Sequence, residues 1–304
     1  MDDSLLVGIR WGLYLTLSIA FGVPLFALHA VETGHRSMLP LRALVALSAA
    51  AALGLSLLAW VAMTAAMADK PMTGVARDDL MAVVAMPGLG GSWLVRIAAL
   101  GVLMLGASIG GLRRLLPVLG VVLGAVALGS LAWTGHGAAG DGVVGHLHLA
   151  ADVVHLLAVG AWIGALVTLS LLLRRAVGQP TAIEVAYRAL TRFSRMGTMI
   201  VAAIVGTGLV NSYVLVGPGR VLDLPATLWG QLLLAKLALF AGMLGLAAAN
   251  RWVLTPALHR TPATAAALPA LLRLRRSVMF ETGVAFFILV AVAWLGTLPP
   301  AATN

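Results

Sequence analysis

Cysteine is absent from the 304 residues. That excludes disulfide frameworks, thiolate zinc sites, cysteine nucleophiles and iron–sulfur clusters. Charge is scarce too. Asp, Glu, Lys and Arg make up 10% of the chain, against about 25% in a soluble domain. No P-loop, dinucleotide fingerprint or nucleophile elbow stands in a workable setting; Gly88-x-Gly90-Gly91 follows no strand and precedes an apolar run, so ATP-driven transport by this chain alone is not expected. With 61% hydrophobic residues and a mean hydropathy of +1.02, the chain has too little polar surface to cover a water-facing globule.

What is present is a series of long apolar runs. A spanning helix needs roughly 20 mainly apolar residues. Eight runs qualify, at about 5–30, 42–66, 92–112, 115–134, 147–173, 195–216, 228–250 and 277–297. The expected fold is an all-α polytopic membrane protein of about eight transmembrane helices, in an N-terminal half, 1–134, and a C-terminal half, 135–304. The first run follows Met1-Asp2-Asp3-Ser4, which lacks a basic segment, and reads as a retained helix rather than a cleaved signal peptide. Gly106-x-x-x-Gly110, Gly120-x-x-x-Gly124 and Gly160-x-x-x-Gly164 read as helix-packing motifs.

The net charge of +9 is arranged by loop. Of the 20 Lys and Arg, 14 fall in one alternating set of connections and three (Lys70, Arg77, Arg220) in the other, while Arg10, Arg96 and Lys236 lie inside spans. The positive-inside rule then puts both termini outside, in the periplasm of a Gram-negative cell, with a multi-pass inner-membrane location. The basic excess suits anionic inner-leaflet lipid rather than nucleic acid. The outer segments carry seven acids, Asp2, Asp3, Asp69, Asp78, Asp79, Asp141 and Asp223, a face that attracts cations.

Four of the seven histidines, His136, His146, His148 and His155, lie within twenty positions where spans four and five meet the exterior. A neutral imidazole is the commonest metal ligand. If span five is helical from His148, then His148, Asp152 and His155 fall at about 0°, 40° and −20°, one narrow face, with Trp162 at about −40° deeper on it. His146 falls opposite. Imidazole and thioether without thiolate suit copper, and Met63 and Met67 stand at i, i+4 on the outer end of span two. A single interfacial histidine or a membrane methionine commonly just satisfies a carbonyl or fills a gap; four clustered histidines beside an intramembrane Asp152 favour function. Asp152 reads equally as a group orienting an imidazole and as the partner of Arg96. Lys236 and Glu281 enter spans seven and eight from opposite sides, and with Asn211 they read either as a polar pathway or as a packed structural set.

The run His148-Leu149-Ala150-Ala151-Asp152-Val153-Val154-His155, continuing to Trp162-Ile163-Gly164, resembles the CopD/PcoD copper-resistance inner-membrane proteins. So do Arg192-Phe193-Ser194-Arg195, Thr207-Gly208-Leu209-Val210-Asn211, Gly230-Gln231 through Lys236, Ala249-Asn250-Arg251, Leu274-Arg275-Arg276-Ser277 before Glu281, and the closing Gly296-Thr297-Leu298-Pro299-Pro300. The similarity is strongest over 146–251; Ala165 departs from a glycine frequent in the family. The resemblance implies a non-enzymatic role in copper handling, commonly import from the periplasm beside a CopC-like carrier, with His155, Trp162, Asn211, Lys236 and Glu281 as family-pattern residues. The leading expectation is copper transport through a His/Met pathway. The alternatives are a b-type haem redox protein and a non-transporting copper-binding docking partner for a periplasmic carrier.

Overall fold

The computed structural model describes residues 3–134, 142–177, 179–260 and 268–299. Ten α-helices occur in order: α1 (Asp3–Ala30), α2 (Leu41–Met67), α3 (Arg77–Val84), α4 (Leu89–Ser108), α5 (Leu116–Gly129), α6 (Gly142–Ala176), α7 (Pro180–Val216), α8 (Leu228–Ala249), α9 (Thr255–Arg260) and α10 (Leu268–Leu295). Among the described residues there is no strand. Eight of these helices, α1, α2, α4–α8 and α10, are long and apolar enough to cross a bilayer, some of them with short continuations past their ends. The chain is a polytopic all-α membrane protein.

The expected spans are therefore present, with different ends. α7 starts fifteen residues before the apolar run at 195, because Pro180 fits the first helical turn. Ala182, Val185, Ala186 and Ala189, spaced as one helical stripe, are buried there, while Glu184, Arg188 and Arg192 remain exposed. The connection after α2 folds a further short helix, α3, which the apolar-run criterion does not detect. α8 passes through a π-turn, Asn250–Leu254, before α9.

α1 is the hub, packed against α2, α5, α6, α7 and α10. Glycine pairs set how closely it is approached. A Cβ on Gly164 would overlap the Gly22 backbone, and one on Gly22 would overlap Gly160 and Gly164. Gly120 and Gly124 of α5 lie against Pro24 and Phe21 of α1 in the same way. Gly106 meets only a Leu119 methyl, and Gly110 has nothing within 4 Å. Two of the three motifs thus grip one central helix.

Two arginines of the basic loops close helix ends. Arg36 donates to the carbonyls of Ala27 (3.0 Å) and Leu28 (3.2 Å) at the end of α1. Arg42 donates to those of Ala107 (2.6 Å) and Ser108 (2.8 Å) at the end of α4. Terminal helix carbonyls lack intrahelical donors and favour cations. Several positive-inside residues are therefore also caps. Glu32 binds Arg192 at 2.8 Å and Arg188 at 3.5 Å, tying the end of α1 to α7.

Candidate functional site

α6 carries the candidate residues, and its neighbours decide which meet. His155 faces α7. The Thr207 hydroxyl donates to the Ala203 carbonyl (2.5 Å), so its proton is already committed. At 2.9 Å from that oxygen, His155 Nδ1 must be the donor. The ring is thus held as the Nδ1–H tautomer, and among the described residues no hydrogen bond reaches Nε2, the state required of a metal ligand. Gly208 leaves room for the ring, its Cβ position being 3.8 Å from His155 Cε1.

One turn earlier on α6, Asp152 accepts from Asn211 Nδ2 at 3.3 Å. His148, Lys236 and Arg10 lie within electrostatic reach of its carboxylate, although no ion pair within 4.0 Å joins it to them among the described residues. Arg96 is engaged elsewhere, donating to Ser130 Oγ (2.8 Å) and the Ser130 carbonyl (3.2 Å) while only 2% exposed. Of the two readings of Asp152, the Arg96 partnership does not form. Arg10, a residue absent from the expected site, crosses from α1 to Gly296 beyond α10, where a Cβ would overlap its guanidinium.

His148 is buried and His146 exposed. His146 Nδ1 donates to the Gly142 carbonyl (2.6 Å), since a carbonyl can only accept. No hydrogen bond to its Nε2 occurs among the described residues. His136 lies outside the described residues. Met63 is half-buried and Met67 exposed on α2, a helix that packs on α1 and α4, so α1 stands between these thioethers and α6. Among the described residues, no three His, Asp or Glu side chains converge on a common point.

A second polar group lies about 10 Å further along α6, seven residues on. Trp162 Nε1 donates to Glu281 Oε1 (3.1 Å), and Asn250 Nδ2 donates to Glu281 Oε2 (2.9 Å). Lys236 is in reach of Asp152, and among the described residues no ion pair joins it to Glu281. The sequence assigns Asn250 of the Ala249-Asn250-Arg251 run no role; its signal there is an amide next to Arg251 at the end of an apolar helix.

The profile "Copper resistance protein D" matches residues 187–295, and the profile "Copper resistance protein D-like, N-terminal domain" matches residues 1–147. Copper resistance protein D of Pseudomonas syringae pv. tomato is 40% identical over 99% of this chain and 98% of that protein. Inner membrane protein YebZ of Escherichia coli (strain K12) is 28% identical over 97% of this chain and 98% of that protein. Copper transport protein CutJ of Bacillus subtilis (strain 168) is 31% identical over 55% of this chain but only 28% of its own length. No solved structure matches.

Proposed function

The chain belongs to the copper resistance protein D family, and on that premise we propose that it moves copper inward across the bacterial inner membrane, with His155 as the central intramembrane ligand. The observation that carries this reading is the His155 tautomer: Thr207 fixes the proton on Nδ1 and leaves Nε2 free in the outer half of the bundle. His146, exposed with its own Nε2 free, is the capture ligand, with His148 and His136 beside it. Asp152, oriented by Asn211, supplies the negative charge that draws a cation inward. Met63 and Met67 form a separate thioether pair on the far side of α1, suited to Cu(I) arriving at the surface. Copper is cargo here, so each site must release it as well as hold it.

The termini and α3 face outwards in this reading, on the loop distribution of Lys and Arg. The acidic outer segments then suit docking of a copper-loaded carrier resembling CopC. The haem alternative is not taken up. Bis-histidine ligation needs imidazoles at one depth on two helices, and among the described residues every outer-half histidine lies on α6.

The test is copper accumulation by cells, and copper retained by purified protein, comparing wild type with His155→Ala and with a His146→Ala/His148→Ala variant at equal expression. Loss of accumulation in both variants is expected. Unchanged uptake in both removes the pathway, and a Soret band in the purified protein would move the reading to haem.

A further inference from the structure

The inner half of the bundle encloses a cavity of about 780 Å³ between α6, α7, α10 and the π-turn that follows α8. Most of its wall is apolar. Trp162, Asn250 and Glu281, at 6%, 7% and 4% exposure, form its buried polar end. Thr198, Arg251 and Trp252, all exposed, form its mouth on the side of the inner loops.

Two oxygen acceptors meet there without a cation. Among the described residues Glu281 accepts only from neutral donors, Trp162 and Asn250. Asn250 spends its N–H on that bond, and its own Oδ1 is buried with no hydrogen-bond partner. The residue opens the π-turn, and such wide turns inside α-helices recur at functional sites. The nearest candidate counter-charge is held away. Arg251 donates to the Ser194 carbonyl and to Thr198 Oγ1, with its guanidinium over the Trp252 ring, and no ion pair within 4.0 Å joins it to Glu281. The other titratable lining group is Tyr187 of α7; α6 supplies none, and α10 supplies Glu281 alone.

An acid deep in a span without a counter-charge is costly enough to mark a functional position. Its donor set is carboxylate and amide oxygen, which suits a hard cation and not the soft ion that imidazole and thioether select. We propose that Glu281 and Asn250 form a binding site for a hard monovalent cation, proton or sodium, reached from the inner face. Resting on the transport reading above, this cation is the one exchanged against copper. Proton binding adds one O–H bond on a Glu281 oxygen and removes the charge. Sodium would be held by the carboxylate and Asn250 Oδ1.

The test is infrared titration of the copper-free, detergent-purified full-length protein, with Glu281→Gln as control. In sodium-free buffer, a protonated-carboxyl band missing from Glu281→Gln should grow as pH falls. If sodium is the ion, added sodium should remove that band saturably at fixed pH; an insensitive band identifies the proton. Absence of the band at every pH, or a band moved by neither pH nor sodium, overturns the site. Should Glu281→Gln not fold, Asn250→Ala retains the carboxyl and must displace the same band; an undisplaced band also overturns it. Copper flux into proteoliposomes is scored separately. A titrating band without flux defeats the copper reading alone, and flux with a silent carboxyl defeats the cation site alone.

Discussion

At the scale of single residues, hydroxyl and amide groups decide what the ionisable ones can do. Thr207 transmits a constraint from a backbone carbonyl to an imidazole: the Ala203 carbonyl takes its proton, so His155 must donate. Thr207→Val removes the acceptor and frees the ring to change tautomer and rotate. Lost outer-shell partners typically cost 10–100-fold in metal affinity. Copper retention by Thr207→Val should therefore fall about 10-fold or more, and Thr207→Ser should restore it, as read by equilibrium dialysis against a copper chelator. The candidate residues themselves were legible, since imidazoles, a carboxylate and a tryptophan in a hydrophobic run stand out by composition. Their partners were not. Ser130 for Arg96, Thr207 for His155 and Asn250 for Glu281 lie 34, 52 and 31 positions away, and which helix lies beside which is a property of packing that no local pattern encodes.

At the scale of elements, apolar length located the eight spans, while their ends were set by weaker signals. The first third of α7 alternates apolar and charged residues at helical spacing, which a search for unbroken hydrophobic runs discards. α3 is held by one carboxylate: Asp79 accepts from Lys70 Nζ (2.7 Å) and from the Ala76 backbone N–H (2.9 Å). These bonds, Lys70 first, hold the Asp79 pKa below its ordinary value of 3.8. A depressed acid stabilises when ionised, so its contribution is complete above 3.8 and is lost as pH falls through its lower folded value. The protection of the Ala76 amide, its deuterium exchange rate taken relative to the intrinsic rate at the same pH, should fall at such acidity, and Asp79→Asn should show the lower protection already at neutral pH. The crossing of α1 and α6 makes a stronger demand. Gly164→Ala inserts a methyl into the Gly22 backbone, and overpacking of this kind costs about 3 kcal/mol. Thermal unfolding in detergent should show that loss. Gly101→Ala, with open space around it, should not.

For the whole molecule, the distribution of Lys and Arg carries the orientation, and the lack of cysteine makes it easy to check. Gly111→Cys and Gly219→Cys introduce single thiols at exposed loop positions where a side chain meets nothing within 4 Å. A membrane-impermeant maleimide should label Gly219→Cys in intact spheroplasts and Gly111→Cys only after permeabilisation. The reverse pattern would invert the proposed direction of every step. The two candidate sites differ in chemistry as well as depth, nitrogen donors on the first half of α6 and oxygen donors on the π-turn after α8 and on α10. The former is visible in the sequence as a histidine cluster. The latter is not, because Asn250 and Glu281 meet only through the packing of α8 and its π-turn on α10.

The place where α1 and α6 touch bears on how two such sites could communicate. With no side chain between Gly22 and Gly164, the two backbones meet directly, so at this point α6 can neither come nearer to α1 nor carry a bulkier residue past it without a clash. His155 lies nine residues to one side of that contact and Arg174 ten residues to the other. Any relative movement of the two helices would have to turn about this crossing.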